Sequence, residues 1–311
     1  MKIIFMGTPD FAVPSLCALD DCYGVSLVLT QPDKPVGRGK KVRFSPVKEE
    51  AMKRGIEVLQ PERLRRDQEV IARMKSLEPD FIIVVAYGQI LSEEVLAIPR
   101  YGCINLHASL LPKLRGAAPL NYALIEGYQE TGNTTMLMDK GLDTGDMLLR
   151  ETYPIDDNLN VEELHDRLSQ SGGDLLLRTV EGLLNGSLTG EKQDSAESTY
   201  APLITKETCE IDWNVSAREI HNRVRGLSPV PGAVSTLGQD RVKILETLVL
   251  NHDYPEPGKI VEVSKDGILV AAGKGSVLIK RLQFPGKKPM AVRDFLNGHT
   301  VTETKFTRSD L

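Results

Sequence analysis

Residues 81–88, Phe-Ile-Ile-Val-Val-Ala-Tyr-Gly, decide the fold. The run is apolar on both faces and stops at a glycine. A central strand of a parallel sheet needs that pattern, because helices cover such a sheet on both sides. Working outward, strand and helix signals alternate. Towards the N-terminus, KIIFMG (2–7) is a strand, followed by a Pro-started amphipathic stretch with Phe11, Val13, Leu16 and Leu19. VSLVLT (25–30) is a second strand, VKEEAMKRG (47–55) a helix stopped at Gly55, IEVLQP (56–61) a third strand, and 67–77 a charged helix. Towards the C-terminus, GCINLH (102–107) is a strand, AAPLNYALIEG (117–127) a helix, and 161–184 a long amphipathic helix. Regular alternation of this kind predicts an α/β domain with a Rossmann-like open parallel sheet. Ligands of such sheets sit beyond the carboxyl ends of the strands, where the strand order reverses. Met6-Gly7-Thr8, Ala86-Tyr87-Gly88 and Leu106-His107-Ala108 are therefore expected along one crevice.

Beyond residue 184 the apolar periodicity fades into NGSLTGEKQDSAES (185–198), which reads as a linker. A helix starting at Ser216 follows, then five short β segments, GAVSTLG, RVKILETLVL, GKIVEVS, GILVAAG and GSVLIKRLQF, separated by Gly, Pro and Asp turns. That spacing predicts a small OB-like β-barrel. The expected organisation is a Rossmann-like catalytic domain at 1–188, a linker at 189–205 and a C-terminal β-barrel at 206–311. The 311 residues suffice for two domains, and no apolar run approaches the length of a membrane span. Cys17, Cys22, Cys103 and Cys209 show neither CxxC spacing nor the density of a disulfide scaffold, so thiols of a cytoplasmic protein and no metal are expected.

The net charge of −5 hides an asymmetry. Residues 1–200 hold 22 Lys/Arg against 30 Asp/Glu, and residues 201–311 hold 16 against 13. Within the acidic part, 31–43 carries Lys34, Arg38, Lys40, Lys41 and Arg43 against Asp33 alone. A basic loop on an acidic domain suits an anionic partner, although charge alone favours a merely solvated surface.

The chemistry-bearing residues gather at the strand ends. Period-two alternation puts Asn105 and His107 on one side of their strand as it ends. An amide and an imidazole aimed together can donate to a developing oxyanion. Taken alone, such a pair is more often ordinary hydrogen bonding, and the later GLDTGD (141–146) is more often a turn. The alternative is that Asp143 reaches His107 and fixes its tautomer, as the acid of a triad does. GxSxG, GxxxxGK[ST], HExxH and GxGxxG are all missing, which argues against nucleophilic hydrolysis, P-loop chemistry and NAD binding.

GTPDFA (7–12), TQPDKPVGRGKK (30–41), VVAYGQIL (84–91), NLHASLLPKLRGAAPL (105–120), TTMLMDKGLDTGDML (134–148) and PGKKPM (285–290) together resemble the formyltransferases that use 10-formyltetrahydrofolate. Within them, GAAP, the lysine-rich loop and the second domain resemble the family acting on methionyl-tRNA. The family's usual TGVT is here Thr131-Gly132-Asn133-Thr134. The resemblance implies transfer of a formyl group from 10-formyltetrahydrofolate to the α-amino group of methionine on initiator tRNA, by a monomer, for translation initiation. It implies that Asn105 and His107 bind the formyl oxygen while Asp143 orients His107. Folate is then expected beside Ser109, Leu110, Leu111 and Pro112, the 86–91 loop with Tyr87, Gly88, Gln89 and Ile90, and the 138–143 loop. Val84 and Leu91 are of suitable type to wall it. Phe11 is expected at the methionine side chain, and Lys34, Arg38, Lys40, Lys41, Lys287 and Lys288 at the tRNA. Lys206, Lys243, Lys280 and Arg281 are further basic candidates outside any family motif. Two rivals remain: a formyltransferase acting on a small amine, and a non-catalytic tRNA-binding protein.

Overall fold

A computed structural model describes residues 1–36 and 41–308. The first elements are β1 (Ile3–Gly7), α1 (Val13–Tyr23), β2 (Val25–Leu29), β3 (Lys34–Val36), β4 (Lys41–Arg43), α2 (Pro46–Lys53), β5 (Val58–Leu59) and α3 (Gln68–Ser76). Then come β6 (Phe81–Val85), α4 (Glu93–Leu96), β7 (Cys103–His107), β8 (Arg115–Gly116), α5 (Pro119–Ile125), β9 (Glu130–Leu137), β10 (Met147–Pro154) and α6 (Val161–Leu184). The remainder comprises β11 (Tyr200–Ala201), α7 (Lys206–Cys209), α8 (Ala217–Leu227), β12 (Ala233–Leu237), β13 (Asp240–Leu250), β14 (Ile260–Ser264) and β15 (Gly267–Ala271). It ends with β16 (Ser276–Gln283), β17 (Met290–Ala291), α9 (Val292–Phe295) and β18 (Phe306–Thr307). The chain forms two compact units, one of residues 1–116, 131–153 and 165–200, the other of 117–130, 154–164 and 201–311. Among the described residues, no helix is long and apolar enough to cross a membrane.

The sheet of the first unit runs β10-β9-β7-β6-β1-β2-β5. Every residue of β1 and β6 is buried, as the uninterrupted apolar runs require. β5, β2, β1, β6 and β7 pair in parallel, and the order reverses between β1 and β6. There the side-chain hydroxyl of Thr8 and the Gln31 amide both donate to the Tyr87 carbonyl, tying the carboxyl ends together. The expected open parallel sheet is present, with one antiparallel edge where β9 pairs with β7. A parallel neighbour would need a crossover back to the starting end of the sheet. The segment after β7 instead returns from the same end that it left.

The second unit is an antiparallel sheet ordered β14-β15-β16-β13-β12-β18, with β17 added to β16. Its two edges meet where Ile260 N donates to Thr304 O and Phe306 N to Gly258 O, so the sheet curls into a half-barrel. Trp213 lies in its core, with Nε1 donating to Ser235 Oγ at 2.9 Å and its ring 5.5 Å from that of Phe306. Ser216 caps α8 through a capping box with Glu219. α5 packs on α8, and Asn121 donates to Gly226 O. A Cβ at Gly226 would stand 2.7 Å from Ile125 Cγ1, so the glycine permits the close approach. Buried His221 and Arg225 hold the carbonyls of Asp157 and Asp156. Residues 117–130 and 154–164, early in sequence, thus belong to the later compact unit.

Candidate active site

β7 ends in the side chains that the sequence singles out. Asn105 is the one residue of β7 that is not fully buried. Its amide bonds to no other described residue. His107, two positions on, is 6% exposed, and its Nε2 lies 2.9 Å from Leu114 O. A carbonyl can only accept, so the proton sits on Nε2 and the lone pair of the neutral ring on Nδ1. Nδ1 faces Asp143 Oδ2 at 3.7 Å, beyond hydrogen-bond range but within ion-pair distance. Asp143 Oδ2 accepts from Gly116 N at 2.8 Å instead. The structure therefore corrects one expectation: the Leu114 carbonyl, and not Asp143, fixes the tautomer.

Both partners of His107 are held in unusual backbone. Leu114 has φ 58° and Asp143 φ 53°, and Ala86 at the end of β6 has φ 48°. Non-glycine residues rarely adopt this region, and they persist there only where surrounding bonds hold them. Leu114 N donates to Thr199 Oγ1 and Arg115 N to Thr199 O. Around Asp143, the Asp139 carboxylate accepts from Gly141 N and Thr144 Oγ1, and Gln193 Nε2 donates to the carbonyls of Asp143 and Gly145. A Cβ at Gly145 would lie 1.7 Å from Leu137 O, so only glycine fits there. Gln193 and Thr199 lie in the stretch that sequence reads as linker, and nothing in its composition marked them.

The 109–112 loop is braced from within. Ser109 Oγ donates to Lys113 O, Thr134 Oγ1 donates to Ser109 O, and Leu111 N donates to Thr134 Oγ1. The Ser109 hydroxyl proton is thereby committed to the loop. Leu111 is buried with Met136 and Met147, Pro112 is also buried, and Leu110 is half-buried. Asn133, the departure from TGVT, donates through Nδ2 to Leu168 O and Ser171 Oγ on α6, while its buried Oδ1 has no partner among the described residues.

The 86–91 loop divides sharply. Val84, Tyr87 and Leu91 are buried in one hydrophobic cluster with Ile4, Met6 and Leu29, so they form core and not crevice wall. Burial pushes the Tyr87 phenol well above its usual range, with the Asp67 charge adding to the shift. Gly88 and Ile90 are exposed, Ile90 at 76%. Gln89 is tied down, accepting from Leu64 N and donating to Pro61 O. Across the sequence gap, Leu142 is 56% exposed beside Asp143. Exposed apolar side chains at strand ends offer the faces against which a flat heteroaromatic ring packs. The loops therefore fit a pteridine.

Phe11 is 6% exposed, meets the His165 ring edge-on at 5.3 Å, and accepts from Ser169 Oγ through its carbonyl. His165 in turn stands 3.0 Å from Asp166 and 3.5 Å from Asp10, a setting that sequence spacing did not reveal.

Lys34 and Lys41 fall on the antiparallel ribbon β3–β4, while Arg38 and Lys40 lie outside the described residues. Both feet of the ribbon are pinned. Lys48 Nζ lies 2.5 Å from Asp33 Oδ2 and 2.6 Å from Gln60 Oε1, and Ser45 Oγ lies 2.7 Å from Thr30 Oγ1. Burial alone would raise the Asp33 carboxyl, but hydrogen bonds from Lys48 and Gln60 outweigh it and hold the group below its usual range. In the second unit, Lys287 and Lys288 are exposed on the turn between β16 and β17, and Lys206 on α7 and Arg281 on β16 are exposed as well. Lys280 is half-buried and donates to Asp266 O, and Lys243 is half-buried on β13.

Residues 1–180 match the family model described as formyl transferase, and residues 203–300 match the formyl transferase C-terminal domain. The chain belongs to the formyl transferase family. This formyltransferase is 56% identical to the methionyl-tRNA formyltransferase of Clostridium perfringens over 302 residues, covering 97% of this chain and 98% of the relative. It is 50% identical to that of Caldanaerobacter subterraneus over 304 residues, covering 97% and 98%. Among solved structures, it is similar in fold to an N-formyltransferase from Helicobacter canadensis, described in complex with folinic acid and dTDP-3-aminofucose, at TM-score 0.69. That match has 20% identity and covers 90% of this chain and 98% of the other. It is likewise similar in fold to HypX from Aquifex aeolicus, described in complex with tetrahydrofolic acid, at TM-score 0.63. There the identity is 16%, over 100% of this chain and 51% of the other.

Proposed function

We propose that the protein transfers the formyl group of 10-formyltetrahydrofolate to the α-amino group of methionine on initiator methionyl-tRNA, with Asn105, His107 and Asp143 as its catalytic residues. One observation carries this reading. His107 and Asp143 converge at the carboxyl end of β7, at 3.7 Å, in a chain whose near-full-length relatives are named for that activity. The donor lies against the exposed backbone of the 86–91 loop, between Ile90 and Leu142. Residues 1–188 carry the chemistry, and the ribbon with residues 206–311 carries the tRNA, through Lys34, Arg38, Lys40, Lys41, Lys287 and Lys288.

The amine attacks the formyl carbon, forming a C–N bond and placing negative charge on the formyl oxygen. The unpaired Asn105 amide donates to that oxygen as the charge grows. Because Nε2–H is committed to Leu114 O, the free Nδ1 is the proton acceptor for the amine. The imidazolium so formed lies against the Asp143 carboxylate, which stabilises it as the acid of a triad does. Its proton then passes to N10 of the folate as the C–N10 bond breaks, which balances the transfer. No covalent enzyme intermediate is needed, in keeping with the missing nucleophile motif.

The test is a competition assay. Purified protein with 10-formyltetrahydrofolate is offered charged initiator tRNA, an amino-sugar nucleotide and glycinamide ribonucleotide. Formylation of the tRNA alone is the expected outcome. Transfer confined to a small amine, or tRNA binding with no turnover, overturns the reading.

A further inference from the structure

We propose that Gln193 is a positioning residue for the transfer, holding the Asp143 carboxylate at its working distance from His107. The inference rests on the catalytic assignment above and extends it into a segment that sequence reads as linker.

Glu191, Lys192, Asp194 and Ser195 are exposed, and Gln193 alone among these neighbours is drawn in. Its amide is fully used. Nε2 donates to Asp143 O at 2.9 Å and to Gly145 O at 2.8 Å, while Oε1 accepts from Arg115 Nε at 3.1 Å and Nη2 at 2.8 Å. Two of the flanking contacts fix the strap lengthwise. Met147 and Glu191 exchange backbone hydrogen bonds at 2.8 Å on one side, and Thr199 accepts from Leu114 N at 2.8 Å on the other. One stretch of chain thus grips the Asp143 loop and the residue whose carbonyl anchors His107.

Asp143 sits at φ 53°, a region that aspartate enters more readily than most residues with a Cβ but that still needs support, and the two bonds from Gln193 supply it. With both carbonyl bonds gone, the loop relaxes toward ordinary backbone angles. The carboxylate then swings from Gly116 N and His107 Nδ1 together. Displacements of this order in a reacting site cost tenfold or more in rate.

Kinetics of the full chain test this. Gln193→Ala is expected to lower kcat about tenfold, leave the KM for 10-formyltetrahydrofolate within about twofold, and change the pH profile of kcat. Gln193→Glu keeps the acceptor for Arg115 but loses both N–H groups, so it is expected to be as slow as the alanine variant. In an Asp143→Asn background, Gln193→Ala should cost less than about twofold, because the group it positions is already gone. The same tenfold loss in both backgrounds, a wild-type rate for Gln193→Glu, or a fall in melting temperature with kcat per folded molecule and its pH profile unchanged overturns the proposal. Full turnover in Asp143→Asn alone overturns the catalytic assignment and the proposal with it. A slow Asp143→Asn enzyme with a wild-type Gln193→Ala enzyme overturns the proposal only.

Discussion

Truncating Asn105 to alanine separates catalysis from folding at this site. The side chain is half-buried at the end of β7 and bonds to no other described residue, so Asn105→Ala orphans no buried donor or acceptor. The β7 pairings with β6 and β9 run through the backbone and survive the change. Its stability effect should therefore stay within about 0.5 kcal/mol, or roughly 1–2 °C in Tm for a chain of this size. Its catalytic effect should be far larger. A single preorganised donor to a developing oxyanion contributes about 3–4 kcal/mol to the barrier, which is about 10²–10³ in kcat. Formyl transfer to charged initiator tRNA, followed in single turnovers with enzyme in excess, gives the chemical step directly. The KM for the folate should move by less than about threefold, because the amide acts on charge that exists only after attack. A chemical step within threefold of wild type refutes the oxyanion assignment. A Tm fall of 5 °C or more shows instead that the amide is structural. His107→Ala is a poorer probe, since it also strands the Leu114 carbonyl and empties a buried site.

Thr134→Val should remove two of the three bonds that brace the 109–112 loop, leaving Leu111 N and Ser109 O unpaired at a cost of about 1–3 kcal/mol each. The expected result is a lower Tm with a raised KM for the folate, and an unchanged KM speaks against this loop as part of the folate site. Lys48→Met should loosen the foot of the β3–β4 ribbon, raising the KM for tRNA while the KM for folate holds, and equal rises in both contradict that division. Burial depresses the His221 imidazole below its usual range, so the folded state keeps it neutral while the unfolded chain takes up a proton near pH 6.5. Its contribution to stability is full above that pH and is lost as pH falls below it. Urea midpoints at pH 7.5 and 5.5 should converge less in wild type than in His221→Gln, which keeps one donor and one acceptor but does not titrate. Parallel pH responses in the two proteins rule that contribution out.

The architecture was legible because its signals are local. Apolar runs such as 81–85, helix stops at Gly55 and the Ser216 cap depend on near neighbours, and each element appears where those signals put it. The direction of β9 was not legible, since it depends on which end of the sheet the chain returns from and not on the pattern within the strand. Burial of Val84, Tyr87 and Leu91 was equally invisible, because apolar type serves a core and a ligand wall alike. Ile90 and Leu142 have the same chemistry and stand in solvent. Residue type located the loop, and tertiary packing decided which of its side chains face outward.

The site itself shows where sequence reading reaches its physical limit. Asn105, His107 and Asp143 are recognisable by type, but the approach of His107 to Asp143 depends on the conformation of the residues between them. Leu114 and Asp143 take left-handed backbone although neither is glycine; an aspartate in a Gly-flanked turn hints at it, but no side-chain pattern announces it for Leu114. Such angles are held by partners far away in the chain, Thr199 for Leu114 and Gln193 for Asp143. The order of causes then runs opposite to the usual reading of a linker as passive. Residues 191–199 close the loops, the loops fix the Leu114 carbonyl and the Asp143 carboxylate, and the Leu114 carbonyl sets the proton on Nε2, so that Nδ1 is the nitrogen that faces Asp143. A change in that stretch should therefore be felt in the proton inventory of His107 before it is felt in folding.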